Sequence, residues 1–127
     1  MRAHTLERRH LAQLQKALGL KFKSSSLLEQ ALVHRSYLNE ARAQGLESNE
    51  RLEFLGDAVL GLVVSQQLCA NFPDLDEGDL TRLKTSLIRW ETLARAAERL
   101  SLGEHLLLGR GEESTGGRQR PSNLARA

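Results

Sequence analysis

Residues 49–64 read NERLEFLGDAVLGLVV, and the fold predicted for the chain depends on this stretch. At about 100° per helical residue, Glu50, Glu53 and Asp57 fall within roughly 60° of one another on one face of a helix. Residues 58–64 are apolar with one glycine, so the second half of the helix has no polar side. Helices of this kind are usually buried, and we expect this one to carry its three carboxylates into the interior or into a cleft.

The opposite face of the same helix is apolar and contains Leu52, Leu55 and Val59. We expect this face to pack against the rest of the protein.

Clustered carboxylates suggest a cation site, because buried like charges repel one another and lose their hydration. Burying each carboxylate would lower the stability of the fold by several kcal/mol unless a cation compensates its charge. Mg²⁺ or Mn²⁺ is the natural partner of grouped oxygen ligands. The alternative is a solvated stripe of surface charge, which is the commoner role of an acid pair such as Glu50 and Glu53. The spacing alone leaves both interpretations open.

Four blocks of sequence together resemble the ribonuclease III family, the endonucleases that cut double-stranded RNA. NERLEFLGDAVL, residues 49–60, resembles the family signature. QALVHRSY, residues 30–37, resembles the segment before it, and residues 72–88 resemble the segment after it. Residues 108–125 resemble the glycine-rich loop and the start of the next catalytic helix. The blocks stand in the family's order, and a match of this extent is far more specific than one short motif.

The resemblance implies an all-α ribonuclease III endonuclease domain, formed by residues 1–127 as a single domain without a double-stranded-RNA-binding domain. It implies metal-dependent cleavage of double-stranded RNA in RNA processing, with Mg²⁺ as cofactor and Mn²⁺ as a substitute. It also implies a homodimer that forms through apolar surface of the signature region and creates a groove for the RNA duplex. Duplex RNA would be read mainly by its shape, phosphates and 2′-hydroxyls.

Carried over residue by residue, the resemblance makes Glu53 and Asp57 direct metal ligands. Glu50 becomes an accessory acid near the site, and Glu77 becomes a second accessory acid at the start of the next helix. These four residues are the predicted catalytic set.

The match fails at the second catalytic helix. Family members commonly read S-x-L-A-D-x-x-E there, whereas residues 122–127 read SNLARA. Arg126 stands where the family places a metal-binding Asp, and the family's Glu would fall three residues later. We therefore expect a domain that lacks its C-terminal helices, holds Mg²⁺ weakly and cleaves inefficiently.

Two other functions stay open on the sequence. A non-catalytic family member could bind structured RNA or a ribosome-associated partner. An all-α interaction protein could carry the same acids as surface charge, and it would show neither metal dependence nor RNA binding.

Composition sets the broad class of the protein. A chain of 127 residues with 40% hydrophobic content fits one domain with a modest core. The one cysteine, Cys69, fits a reducing cytoplasm. The net charge of +2 is too small to argue for nucleic acid by itself. The longest uninterrupted apolar run, about seven residues, is too short for a membrane span, and no membrane partner is expected.

Helical periodicity and break signals predict the remaining elements, and no useful period-2 alternation is present. The predicted helices cover residues 6–18, a short stretch through 27–32 with caps at 24–26, 49 to about 71, a helix that begins at 76, then 91–100 and 104–107. A loop or frayed helix is predicted over 39–48 and a loop over 109–121. Leu80, Leu83 and Leu87 should form the buried face of the helix that Asp76 caps. His34 is expected to make structural hydrogen bonds. Trp90 indicates either a packed aromatic or a looser junction.

Overall fold

The structure is a computed structural model that describes residues 2–40 and 45–127, with side chains described from residue 8 onward. Part of the predicted loop over residues 39–48 therefore lies outside the described residues. The α-helices are α1 Arg2–Leu18, α2 Ser25–Ala31, α3 Arg35–Glu40, α4 Glu50–Asn71, α5 Glu77–Ile88, α6 Trp90–Arg99, α7 Arg110–Ser114 and α8 Pro121–Arg126. Two 3₁₀ turns span Leu102–His105 and Gly117–Gln119. The described ranges contain no β-strand, so the predicted all-α fold is confirmed.

The helix ends follow the predicted signals closely. Gly19 adopts a φ of +65° directly after α1, which is the left-handed conformation that ends many helices. α4 ends where Phe72 precedes the proline. The Asp76 side chain accepts a hydrogen bond of 2.8 Å from the Asp79 backbone N–H and caps α5 as predicted.

The main core lies between the N-terminal helices and the segment that precedes α7. Leu14, which is 1% exposed, lies at its centre. Its buried members are Leu11, Leu14, Leu28, Leu32, Leu106 and Leu108. A smaller apolar cluster joins α6 to α8 through Ala94, Ala97 and Leu124. These two clusters hold the C-terminal segment against the body of the domain.

The apolar face of α4 is exposed, which contradicts the predicted burial of this helix. Among the described residues of α4, only Leu68 is buried. Phe54 is 84% exposed, Leu55 60% and Leu62 69%. The helix packs chiefly against α5. Because α4 and α5 project as a hairpin, the apolar face has no covering element within the described part of the chain.

One helix among the described residues, α4, has the length and apolar composition of a membrane span, with 22 residues and a mean hydropathy of 1.3. The sequence prediction considered uninterrupted apolar runs, whereas a windowed mean tolerates isolated polar residues. The finding is weak evidence by itself, because core helices of soluble proteins pass the same test.

One further packing prediction was wrong, and one open question was decided. α5 has no buried residue, and Leu87 on its predicted buried face is 44% exposed. Its exposure follows from the projecting α4–α5 hairpin, whose outer sides meet solvent. Trp90 is 55% exposed and begins α6, which excludes the packed aromatic and leaves the looser junction.

The segment over residues 109–121 is ordered rather than a flexible linker. It contains α7 and a 3₁₀ turn. The Arg118 Nη1 atom donates to the carbonyl oxygens of Gly103 and Leu106, each at 2.8 Å. The same guanidinium pairs with Glu113 at 2.9 Å. One arginine therefore joins this segment to the turn that follows α6.

Gly109 allows a close approach between this segment and α3. Its N–H donates to the Ser36 hydroxyl at 3.0 Å. A Cβ atom at this position would lie 2.5 Å from the Ser36 carbonyl oxygen and 2.8 Å from the Glu40 carboxylate. A side chain here would therefore separate the two elements.

We predict that Gly109→Ala lowers the free energy of unfolding by about 2 kcal/mol, because the added methyl group collides with backbone. Gly56→Ala is the matched control, since a Cβ there meets nothing within 4 Å. It should raise stability by about 0.5–1 kcal/mol through helix propensity. Urea denaturation of both variants measures the difference. Equal stability of the two variants would contradict the close approach.

Candidate functional site

The start of α4 is fixed by Asn49, which is 8% exposed. Its backbone N–H donates to the Val33 carbonyl at 2.9 Å, and its side-chain Nδ2 donates to the Ala31 carbonyl at 3.1 Å. Val33 is fully buried and also forms an isolated parallel bridge with Leu107. Asn49 occupies the predicted N-cap position, but its side chain makes no capping bond. It anchors the helix to the segment between α2 and α3 instead.

That same segment contains His34, whose predicted structural role fits its contacts. Its Nδ1 atom lies 2.7 Å from the Ser36 hydroxyl, and its backbone N–H donates to the Leu107 carbonyl at 3.0 Å.

Three of the four predicted acids, Glu50, Glu53 and Asp57, line one open cleft of about 750 Å³. Its far wall is built by residues of α6 and α8, among them Ala97 and Leu124. Of the two predicted locations, the interior or a cleft, the structure shows the cleft: the Glu53 side chain is 36% exposed and that of Glu50 is 58% exposed. Solvent reaches all three carboxylates, so their charges do not carry the cost of full desolvation.

The fourth predicted acid, Glu77, lies outside this cleft. It is the first residue of α5 and is exposed. α4 continues for fourteen residues beyond Asp57, which is about 20 Å along the helix axis, before the chain turns back. Within one chain the structure therefore does not bring Glu77 to the other three acids.

A basic side chain faces the acids from the opposite wall. The Arg126 Nε atom lies 3.7 Å from a carboxylate oxygen of Glu53, and Arg126 lines the same cleft. Glu50 lies 3.9 Å from the Arg35 guanidinium and accepts a hydrogen bond of 3.0 Å from the Ser48 hydroxyl.

Asp57 has no hydrogen-bond or ion-pair partner among the described residues. The three acids thus share a face of α4 but differ in their basic partners: Glu50 and Glu53 each lie near an arginine, and Asp57 does not within residues 8–40 and 45–127.

The position of Arg126 depends on a polar cluster beneath α8. The buried Asn123 donates through Nδ2 to the Gly117 carbonyl at 2.9 Å and to the Glu112 carboxylate at 2.8 Å. The hydrogen bond from Asn123, with a smaller effect of the Arg120 guanidinium, lowers the pKa of Glu112. The carboxylate therefore stays ionised and holds the start of α8 in place.

The donor set suits a divalent cation only in part. Glu53 and Asp57 offer carboxylate oxygens one turn apart, which is the ligand chemistry of Mg²⁺. The part of the chain that the structure describes contains no group of three or more potential ligands placed to hold a metal ion. Arg126 also brings a positive charge to the position opposite Glu53. The carboxylates of α4 therefore suit a divalent cation, whereas the opposite wall of the cleft brings the positive charge of Arg126 toward it.

Comparisons with known proteins identify the family of the chain. A family model described as Ribonuclease-III-like matches residues 24–127. The chain belongs to the ribonuclease III family. It is 53% identical over 117 residues to Ribonuclease 3 of Dehalococcoides mccartyi, covering 92% of this chain and 49% of that protein. It is 50% identical over 124 residues to Ribonuclease 3 of Geobacillus kaustophilus, covering 98% and 50% respectively.

The fold likewise matches a solved ribonuclease III nuclease domain. The nuclease domain of the Campylobacter jejuni enzyme superimposes with a TM-score of 0.80 at 41% identity, covering 89% of this chain and 75% of that one. That structure is described as showing flexibility in a region involved in dimer formation. This ribonuclease III chain spans about half the length of the curated relatives that it matches.

Sequence reasoning missed the anchoring role of Asn49 and the contacts of Glu50 with Arg35 and Ser48. A polar residue before a helix indicates a cap, and nothing in its identity shows that its side chain turns to another segment. The departure from the family pattern at residue 126 indicated that a basic side chain stands near the site. The sequence could not give its distance from Glu53.

We predict that Asn49→Ala lowers the free energy of unfolding by about 1–3 kcal/mol, because the Ala31 carbonyl loses its buried donor. Asn71→Ala, at the exposed end of α4, is the matched control and should change stability by less than about 0.5 kcal/mol. Thermal and urea unfolding measure both. An unchanged Asn49 variant would show that α4 is anchored by other contacts.

Proposed function

We propose that this chain supplies the nuclease domain of an endoribonuclease that acts on double-stranded RNA. One observation carries the proposal: the helix with the family signature presents Glu50, Glu53 and Asp57 side by side in a cleft that is open to solvent. A substrate as large as duplex RNA can reach carboxylates in such a cleft, whereas it could not reach buried ones. RNA would be recognised through its shape, its phosphates and its 2′-hydroxyls.

Glu53 and Asp57 are the residues that would hold a divalent cation, Mg²⁺ or Mn²⁺, since they offer the oxygen ligands that such ions take. When bound, the ion supplies an activated water and neutralises charge on the phosphate. Glu50 lies one turn before Glu53, where its hydrogen bond from Ser48 restrains its carboxylate as an accessory acid.

A second copy of the chain is the proposed partner of the exposed face of α4. Leu55, Val59 and Leu62 form an exposed apolar strip on this helix outside the acid cleft, and exposed apolar strips mark interaction surfaces. A protein partner fits this strip better than a membrane, because the same helix presents three carboxylates on its other face. If Glu77 serves a cleft, it does so from this second copy, because it lies at the far end of the hairpin from its own acids.

The cytoplasm is the proposed location. The lone Cys69 is exposed and free, which suits a compartment that keeps thiols reduced.

Binding of structured RNA without cleavage, including in a ribosome-associated role, is the second candidate function. The contact between Arg126 and Glu53 favours it, because a guanidinium at this distance competes with a metal ion for the same carboxylate.

We predict that the chain cuts a long labelled RNA duplex with Mg²⁺ or Mn²⁺ at low salt, and that chelator abolishes the cutting. Asp57→Asn should reduce the rate at least about a hundredfold, since it removes a charged ligand of the proposed ion. Asp74→Asn, an exposed acid outside the cleft, is the matched control. Cutting that persists in chelator would contradict the proposed metal. Folded protein that binds the duplex without cutting it would favour the second candidate.

We predict that Leu55→Glu weakens self-association at least about tenfold without unfolding the chain, because it places a charge in the proposed contact between two copies. Leu27→Glu is the matched control, since Leu27 is 54% exposed on α2, away from that face. Sedimentation equilibrium gives the dissociation constants, and circular dichroism reports folding. Unchanged association of the Leu55 variant would exclude this face from the dimer.

A further inference from the structure

We propose that Arg126 is the resident counter-ion of the carboxylate cleft and competes with a divalent cation for Glu53. The inference deepens the proposed function, on which it rests for the identity of the competing cation. The observation behind it is direct: Arg126 and Glu53 belong to two different helices and meet across the cleft at 3.7 Å.

The packing of α8 keeps the guanidinium close to the acids. Asn123 and Leu124, which precede Arg126 in the same short helix, are both buried. Asn123 is fixed by the Gly117 carbonyl and by the Glu112 carboxylate. Because the backbone under Arg126 is held by these contacts, the guanidinium stays within reach of Glu53 even when the ion pair opens.

The pair is accessible enough to exchange with ions from solution. The Arg126 side chain is 70% exposed and that of Glu53 is 36% exposed. Exposed pairs of this kind contribute little to stability and are screened by salt. Arg126 therefore does not seal the cleft but lowers the affinity of its acids for any other cation.

Charge arithmetic gives the size of the effect. Because Arg126 Nε lies 3.7 Å from a Glu53 carboxylate oxygen, a divalent cation bound to that oxygen at about 2.1 Å would be at most roughly 6 Å from this nitrogen. At that distance in a water-like dielectric, the repulsion between the two reduces the affinity of the cation about tenfold. Arg126 pairs with Glu53 and leaves the charges of Glu50 and Asp57 to attract cations to the cleft. We therefore expect weak binding of divalent cations rather than none.

The test is direct binding of Mn²⁺ at low ionic strength, measured from the electron paramagnetic resonance signal of the free ion. Arg126→Gln keeps a polar side chain that can donate hydrogen bonds but removes the positive charge, and it should bind Mn²⁺ about tenfold more tightly than the unaltered chain. Arg126→Lys keeps the charge and should stay within about twofold of the unaltered chain. Adding Glu53→Gln to Arg126→Gln should cancel the gain.

Arg95→Gln is the matched control, because Arg95 is exposed on α6, does not line the cleft and undergoes the same change of charge. It should leave Mn²⁺ binding unchanged. A gain in Arg95→Gln as large as in Arg126→Gln would show an effect of net charge and overturn the proposal. Equal affinity of Arg126→Gln and the unaltered chain, with unchanged circular dichroism, would overturn it as well.

Binding and cleavage of duplex RNA, measured on the same samples, separate this inference from the proposed function. Tighter Mn²⁺ binding in Arg126→Gln without any interaction with RNA would sustain the inference and contradict the proposed function. RNA cleavage together with a Mn²⁺ affinity that is the same with and without the Arg126 charge would support the proposed function and contradict the inference.

Discussion

The site of this protein depends on two hydrogen bonds from one buried asparagine. Asn49 donates to the carbonyls of Val33 and Ala31 and so fixes where α4 begins and how it is rotated. Glu50, Glu53 and Asp57 follow within two turns, so the direction of all three carboxylates is set by this anchor. A helix attached only by apolar contacts could turn about its axis at small cost, whereas paired backbone carbonyls accept a donor in one geometry.

α4 places two different surfaces on opposite sides of one helix. Its acids line a cleft formed with α6 and α8, whereas Leu55, Val59 and Leu62 lie outside that cleft and are 60%, 54% and 69% exposed. The usual arrangement of a surface helix is the reverse, with the apolar stripe inward. An apolar stripe directed outward is the expected form of an association surface, and the acids are thereby left free for solvent and substrate.

The second wall of the cleft is held by the small apolar cluster between α6 and α8 together with polar contacts beneath α8. Glu112, Asn123 and Arg120 form a cluster beneath α8, in which the hydrogen bond from Asn123 lowers the pKa of Glu112. α8 brings Arg126 to Glu53 from this support. The segment that supports the second wall therefore also contributes the Arg126 guanidinium to the cleft. Its contact with Glu53 sets the balance of charge in the cleft of this ribonuclease III domain.

The sequence by itself determined α1, α2, α4, α5 and α6, most of their ends and the family, because caps, prolines and a 3.6-residue period act over a few neighbouring positions; the short helices α3, α7 and α8 were not predicted from these signals. It also placed Glu50, Glu53 and Asp57 on one face, since their relative angles depend on helix geometry alone. Tertiary structure decided which face turns inward, because a period gives relative directions within a helix but not its rotation against other elements. It likewise decided that residues 109–121 are ordered, that Glu77 lies far from the other acids, and that Arg126 meets Glu53. Each of these depends on contacts between residues distant in the chain, which no local pattern encodes.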